Sequence, residues 1–502
     1  MRRPGPRLVD GLAVVLCLTA PGLFGCAKAA PAVAPLPDPL QQLRQDIIAA
    51  TALPGVQRAA WGIVVQSLDR NERIFELNPR TLLVPASTAK LVSLASAVDA
   101  VGWDYRYETL VRASAPIAGG VIQGDLLVVG SGDPSIGGRA GASLAGWVDA
   151  LKALGLRRIE GRVIGDDDAV EEPRPQLAWA WDDLGYSTGA LFGALNLAEN
   201  RMEITVNPGQ ALDYQPTFSM EPAAWSRALR NRTVTGPPQS LAQLWPEQRP
   251  GEAFLTIAGS IPIGAPPARL QISVGNPTAW FASVFRAALI SGGIDVTGDA
   301  YDVDDVAQRQ EWKNAVVLYT HRSATLAEIA QPMLKNSINL YGEAVLRLNA
   351  SKGTVPTNDA ALDGLRARMA AWGIPADAWQ IIDGSGLSRR DAIASEALVA
   401  ILQRMYDPSG GSPWMAALPV AGRDGTLAGR MAGTPAEGNV RAKTGTMSNI
   451  RSLAGYVRTR DGENLAFAIL ADNFEGPGGA AADAIDRIAI RLATFSRQAL
   501  TQ

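Results

Sequence analysis

Val84-Pro85-Ala86-Ser87-Thr88-Ala89-Lys90-Leu91-Val92-Ser93 places a serine hydroxyl three residues before a lysine amine. On a helix, positions i and i+3 share one face a turn apart, so the two groups can meet. Apolar residues continue at Leu91, Leu94, Ala95 and Val98, and the repeat stops at Gly102, which predicts a helix ending there. Pro85 sits where a helix can begin. That puts Ser87 in the first turn, near free backbone N–H groups and the positive end of the macrodipole. Such a place favours a developing oxyanion. A serine is a weak nucleophile until a base takes its proton. A desolvated lysine can be that base, because burial disfavours the ammonium. Alone, Ser-x-x-Lys is a common tetrapeptide on a core helix, and the surrounding chain must decide.

Two strands precede this helix, Trp61 to Asp69 and Arg73 to Asn78, joined by a tight polar turn. Three more stand near the other end, in GNVRAKTGT, RSLAGYVRT and NLAFAILADN, with Arg460-Asp461-Gly462 as a hairpin signal. Helical patterns at Gln41 to Thr51 and Gly479 to Phe495 flank them. The expectation is one antiparallel sheet built from both ends of the chain, with the terminal helices on one face. Everything between is then inserted.

The insertion, residues 107–305, is rich in glycine, proline and short strands. Trp147 to Asp168 and Trp280 to Asp302 echo each other as a Trp-led helix, a Gly turn and a strand ending Gly-Asp, a duplicated unit. Proline-rich Glu221 to Pro250 reads as surface loops. The acidic run Asp166 to Asp168 reads as a solvated turn. Two accessory domains are expected, one nested in the other, with the catalytic domain formed by 41–106 and 306–502.

At 502 residues the chain is about three times a modal domain. A net charge of -3 leaves no basic footprint for nucleic acid. With one histidine, His321, a Ser-His-Asp hydrolase would have to use that residue, and a zinc site with several histidines is excluded. His321 precedes a helical pattern and reads as structural. The basic start MRRPGPR and the apolar stretch after it describe an export signal over 1–29, followed by a Pro/Ala-rich tether over 30–40. Both cysteines, Cys17 and Cys26, lie there, so no disulfide framework is expected. Leu23-Phe24-Gly25-Cys26 resembles a lipobox that would make Cys26 a lipid anchor, while Ala27-Lys28-Ala29 offers cleavage to a soluble form. The lipoprotein is narrowly preferred; both outcomes place the protein in the cell envelope or periplasm.

Further along, Thr325 and Glu328 form a capping box, and Pro332 interrupts the helix that follows. Ser337 and Asn339, two apart, would diverge on a continuous helix, so they require a break, for which Pro332 is the candidate. Three elements then stand in order: Ser87-Thr88-Ala89-Lys90, Ser337-Ile338-Asn339 and Lys443-Thr444-Gly445-Thr446. In the third, strand alternation puts Lys443 and Gly445 on one face, and the glycine would let a ligand backbone lie against the strand edge. Lys443 and Thr446 would offer donors to a terminal carboxylate. This trio marks penicillin-binding proteins and serine β-lactamases.

The chain resembles the class C low-molecular-mass penicillin-binding proteins, D-alanyl-D-alanine carboxypeptidase/endopeptidases of the bacterial envelope. The resemblance runs from about Leu40 to Phe495. It includes GSGDPS (Gly130 to Ser135), ALNLAEN (Ala194 to Asn200), DGSGLSR (Asp383 to Arg389), GRDGTL (Gly422 to Leu427) and VRAKTGT (Val440 to Thr446). It implies an α+β domain of the serine β-lactamase/DD-transpeptidase kind, a five-stranded antiparallel sheet with flanking helices and a helical lobe, carrying mainly β insertions. It further implies Ser87 as the acylated nucleophile, Lys90 as its base, and Ser337, Asn339 and Lys443 in the proton and hydrogen-bond network. Thr444, Gly445 and Thr446 would meet the substrate, with the N–H groups of Ser87 and Thr446 as oxyanion hole. Asp183, Arg389 and Met447 match a pocket for the amino end of the peptide side chain, though Asp183 also reads as a turn residue and Arg389 as a loop tie. Peptidoglycan stem peptides would be substrates and β-lactam antibiotics covalent inhibitors, with no cofactor or metal. Ile338 departs from the family's Asp; that side chain is not catalytic, so the change bears on packing. The alternatives are a serine β-lactamase or esterase on the same scaffold, or a wall-binding scaffold with a vestigial site.

Overall fold

Strand periodicity and turn chemistry build one sheet from the two ends of the chain. The computed structural model describes residues 38–498 apart from 140, 142, 222–227, 250, 251, 253, 308–311 and 477. The export signal, Cys26 and all but the last residues of the tether lie outside the described residues. β1 (Ala60–Ser67) and β2 (Glu72–Leu77) form a hairpin, joined by β3 (Arg441–Met447), β4 (Ile450–Arg458) and β5 (Asn464–Asp472). The order is β2-β1-β5-β4-β3, every neighbour antiparallel.

β5 lies at the centre and is apolar from Leu465 to Ala471 because both its faces are covered. Alternation sends Phe467 and Ile469 one way, onto Leu43, Ile47, Ile485 and Ile488 of the terminal helices Pro39–Thr51 and Gly478–Ala493. Ala466, Ala468 and Leu470 point the other way, into the core under the Ala89–Val101 helix and the helical lobe. Arg491 donates to Asp46 at 2.6 Å, tying the terminal helices together.

The insertion carries its own five-stranded sheet, ordered Ala300–Asp302, Val163–Asp166, Leu126–Val129, Glu108–Ala113, Val316–Arg322. The last strand lies beyond the expected boundary at 305. It pairs antiparallel with Glu108–Ala113, Arg322 opposite Glu108. The exit is bonded to the entry: Tyr107 N–H donates to Ser323 Oγ at 2.9 Å, and Ser323 N–H to Tyr107 O at 3.0 Å. The inserted sheet therefore closes only at Arg322. His321 sits on that strand, its Nε2 3.4 Å from Asp133 Oδ2 and its ring 4.9 Å from that of Trp147.

The two echoing segments fold alike and lie side by side. Each has a helix, Leu144–Ala153 or Pro277–Ser291, with its tryptophan fully buried. Their strands pair in parallel, Asp295 opposite Arg158 and Ala300 opposite Val163. Glu221 to Pro250 does not form loops throughout: Leu229–Gly236 and Gln243–Glu247 flank Leu255–Pro262 in a three-stranded sheet. Pro246 is tolerated there because its strand is at the edge. The acidic run is not wholly solvated either, since Asp167 is 1% exposed.

In the helical lobe, Thr325 and Glu328 cap the Leu326–Lys335 helix as a capping box, and Pro332 rides inside it. The break comes later, at Ser337, whose φ of 60° is left-handed and stops the helix. A new helix, Asn339–Arg347, starts two residues on. Ile338 packs against the cluster that joins Val170, Phe192 and Ala194 of the insertion to Leu340 and Ala344, which explains an apolar residue at that position.

Ile469→Ala should test the sheet. It empties a fully buried site between the sheet and the terminal helices. Denaturant unfolding followed by far-ultraviolet circular dichroism should show a loss of about 2–5 kcal/mol, and an unchanged midpoint would contradict this core assignment.

Candidate active site

Ser87 lies on a 3-10 turn, Ala86–Thr88, that runs directly into the Ala89–Val101 helix. Ala86 adopts a left-handed φ of 45°, an unfavourable conformation for a residue with a Cβ. The turn is clamped at Pro85, whose carbonyl accepts from Thr88 Oγ1 and from Ser452 Oγ of β4, each at 2.7 Å.

Lys90 is fully buried, one turn on. Its Nζ is 2.9 Å from Ser87 Oγ, 2.7 Å from Asn339 Oδ1 and 2.7 Å from the carbonyl of Ser385. Three acceptors match the three donors of an ammonium. A neutral amine keeps two of those bonds and turns its lone pair to the Ser87 hydroxyl. Burial pushes Lys90 down to about 7, opposed by the charges of Asp383, Glu343 and Asp391. Asn339 is oriented from its other end: its Nδ2 donates to the Thr188 carbonyl at 2.8 Å, which leaves Oδ1 facing Lys90.

Lys443 reaches the same place from β3. Its Nζ donates to Ser337 Oγ at 2.9 Å and to Thr444 O at 2.8 Å. It is fully buried, and both that burial and the charge of Lys90 hold it well below the ordinary lysine range. Two ammonium groups so close in a dry site disfavour each other, so the site favours having at least one amine neutral.

At Gly445 a Cβ would stand 2.5 Å from Pro85 O and closer still to Ser452 Oγ, so the bare face of the glycine admits the Ser87 turn. Thr444 places its hydroxyl on Thr426 Oγ1 at 2.7 Å.

Ser87, Ser337, Asn339, Thr444, Thr446 and Met447 open onto one cleft of about 360 Å³. Asp183 and Arg389 line the same cleft; burial raises the Asp183 carboxyl and the Arg389 charge lowers it. A larger cavity of about 810 Å³ lies against Arg139, Arg201 and Trp280 and touches none of these groups.

Several supporting residues were not anticipated. Asp383 accepts from the N–H groups of Gly386 and Ser388 at 2.6 and 2.7 Å, and from Trp179 Nε1 of the insertion at 2.7 Å. Glu343 accepts from Gly384 N and Ser385 N at 3.1 and 2.9 Å. Together they fix the loop whose Ser385 carbonyl holds Lys90. The DGSGLSR text was the available signal, an acid followed by glycines and serines in a tight loop. Glu343 and Thr188 carried none, since each matters only through a distant partner.

The sheet-and-lobe architecture, with a serine–lysine pair at a helix start and a lysine on the edge strand, defines a penicillin-binding class of serine hydrolase fold. Residues 43–494 match the D-Ala-D-Ala carboxypeptidase 3 (S13) family, and the chain belongs to it. It is 34% identical over 471 residues to a D-alanyl-D-alanine carboxypeptidase of Actinomadura sp. (strain R39), covering 91% of this chain and 85% of that protein. The crystal structure of penicillin binding protein 4 from Haemophilus influenzae superposes with a TM-score of 0.77 at 22% identity, covering 91% of this chain and 99% of that one. The same protein complexed with a β-lactam superposes at 0.72 with 21% identity, covering 90% and 100%.

Gly445→Ala should push the Pro85–Ala86 turn away from β3. Stopped-flow labelling with fluorescent penicillin should be slowed at least tenfold, about 1.4 kcal/mol of barrier, with the fold retained by circular dichroism. An unchanged rate would show that the close approach is dispensable.

Proposed function

We propose that the chain is a serine D-alanyl-D-alanine carboxypeptidase acting on peptidoglycan stem peptides, with Ser87 as nucleophile. The observation that carries this reading is the Lys90 amine, buried, depressed to about 7 and 2.9 Å from Ser87 Oγ. Lys90 takes the hydroxyl proton as Ser87 Oγ bonds to the carbonyl carbon between the two D-alanines. The backbone N–H groups of Ser87 and Thr446 receive the oxyanion. The C–N bond then breaks. The leaving amine takes the proton that Lys90 removed from Ser87, relayed through Ser337, which Lys443 holds at 2.9 Å, and Lys90 is neutral again. Water, deprotonated by Lys90, adds to the ester carbonyl; the bond to Ser87 Oγ breaks, and Lys90 returns the proton to that oxygen.

Asn339 keeps Lys90 in place, and Thr446 with Met447 borders the cleft where the terminal carboxylate is held. Asp183 and Arg389 offer opposite charges to the zwitterionic end of a diamino acid side chain. A β-lactam presents a strained amide to the same serine and forms the same ester, with its bulk left in the cleft. Cross-link endopeptidase action uses the same chemistry with a longer leaving amine. The catalytic unit consists of the two chain ends, and the accessory unit runs from 107 to about Arg322. Such a substrate places the protein in the cell envelope, with Cys26 the proposed lipid anchor; among the described residues no helix is long and apolar enough to cross a membrane.

Ser87→Ala should abolish covalent labelling by penicillin, and Lys90→Met should slow it by about 10²–10⁴-fold with the cleft intact. Incubated with purified peptidoglycan, the wild type should release free D-alanine, followed by chromatography of the muropeptides. Labelling that persists in Ser87→Ala, or an unchanged muropeptide profile, would overturn the assignment.

A further inference from the structure

GRDGTL (Gly422 to Leu427) lies outside the proton path through Ser87, Lys90 and Ser337, yet several ties fix it beside that path. Asp424 accepts from Lys335 Nζ at 2.6 Å and from Val420 N–H at 2.8 Å. Lys335 also donates to the Leu418 carbonyl at 3.1 Å. Gly425 is left-handed, with φ of 58°, and a Cβ there would stand 2.6 Å from Lys335 O. Leu427 is fully buried. These ties press the 3-10 turn Gly425–Leu427 onto the end of the Leu326–Lys335 helix, just before Ser337. Thr426 rides on that turn, exposed, and lines the catalytic cleft.

Its side chain meets Thr444, the two hydroxyl oxygens 2.7 Å apart. A hydroxyl has one proton to donate, so burial decides which way this bond runs. Thr444 is 7% exposed, and Thr426 Oγ1 is the acceptor its proton reaches. The Thr426 proton is left over: it has no acceptor among the described residues, and Thr426 opens to the cleft. A hydroxyl that already accepts a hydrogen bond is polarised into a stronger donor. Thr426, rather than Thr444, is the donor this pair offers to a ligand.

The surroundings define the ligand group. Among the described residues lining the cleft, the charged ones are Asp183 and Arg389, while Lys90 and Lys443 are fully buried. The β3 side presents hydroxyls instead, Thr444 and Thr446 on one face of the strand with Thr426 next to them. Several neutral donors, each with one proton, suit an anion with several acceptor sites, as a carboxylate has. We propose that Thr426 is a substrate-binding residue, its hydroxyl donating to the carboxylate of the amino acid that leaves when the amide is cleaved. This rests on the carboxypeptidase reading of the site and adds to it a residue outside the three sequence elements. The Lys335–Asp424 clamp then fixes the carboxylate's donor against the helix end that leads to Ser337, so the carboxylate and the amine of the leaving residue are placed by one junction.

The test compares the full chain with Thr426→Val and Thr426→Ser. Valine keeps the shape and removes the hydroxyl, and the position is exposed, so the fold should be retained. With an acetylated lysyl-D-alanyl-D-alanine peptide, Thr426→Val should lose about tenfold in kcat/KM, the worth of one hydrogen bond to a charged group, and Thr426→Ser should recover most of it. An acetylated D-alanine boronic acid bonds to Ser87 but lacks the leaving residue and its carboxylate. Its affinity, measured by calorimetry, should be the same in all three proteins. An unchanged kcat/KM in Thr426→Val, a parallel loss of boronic acid affinity, or no recovery with serine would each overturn the role of Thr426 and leave the carboxypeptidase reading intact. A wild type that neither releases D-alanine nor binds the boronic acid would overturn that reading, and this assignment with it.

Discussion

A fully buried lysine amine is the constraint on which the rest of the structure depends. Lys90 is useful as a base only if it loses its proton near neutral pH, and burial supplies that shift. Burial alone would leave the amine's hydrogens unsatisfied. Ser87, Asn339 and the Ser385 carbonyl supply its partners, and they come from three separate parts of the chain. The carboxylates of Asp383, Glu343 and Asp391 act against the burial and keep the shift moderate. Lys443, fully buried and with the charge of Lys90 beside it, is also held well below the ordinary lysine range.

The architecture follows from holding these parts against each other. β3 and β4 support the Ser87 turn through Gly445 and Ser452, and the helix break at Ser337 presents one hydroxyl to Lys443 and, two residues on, one amide to Lys90. The insertion is not a bystander. Trp179 bonds to Asp383 and Thr188 bonds to Asn339, so it buttresses both the loop and the amide that position Lys90.

Much of this was legible because it is local or periodic. The five strands and terminal helices follow from alternation and helical spacing, and the α+β sheet-and-lobe fold is the one observed. Ser87, Lys90, Ser337, Asn339 and Lys443 converge in space as their text suggested, and Asp183, Arg389 and Met447 share their cleft. What escaped depends on contacts between distant segments. Nothing near Gly445 reveals that Pro85 occupies its bare face. Val316–Arg322 joins the inserted sheet only because Glu108–Ala113 offers it an edge. Pro332 looked like the break, but a left-handed Ser337 interrupts the chain more sharply than a proline whose ring the helix can accommodate. Asp167 reads as one more surface acid until its burial is known.

The central claim is that Lys90 is the group that loses a proton near neutrality beside Ser87. It is tested most directly by labelling lysine side chains with 13C at the ε-carbon and following the Lys90 signal, assigned by its absence in Lys90→Met, across pH. The account predicts a midpoint near 7, with the acylation rate rising over the same interval. A Lys90 signal that stays protonated until pH near 10 would contradict it.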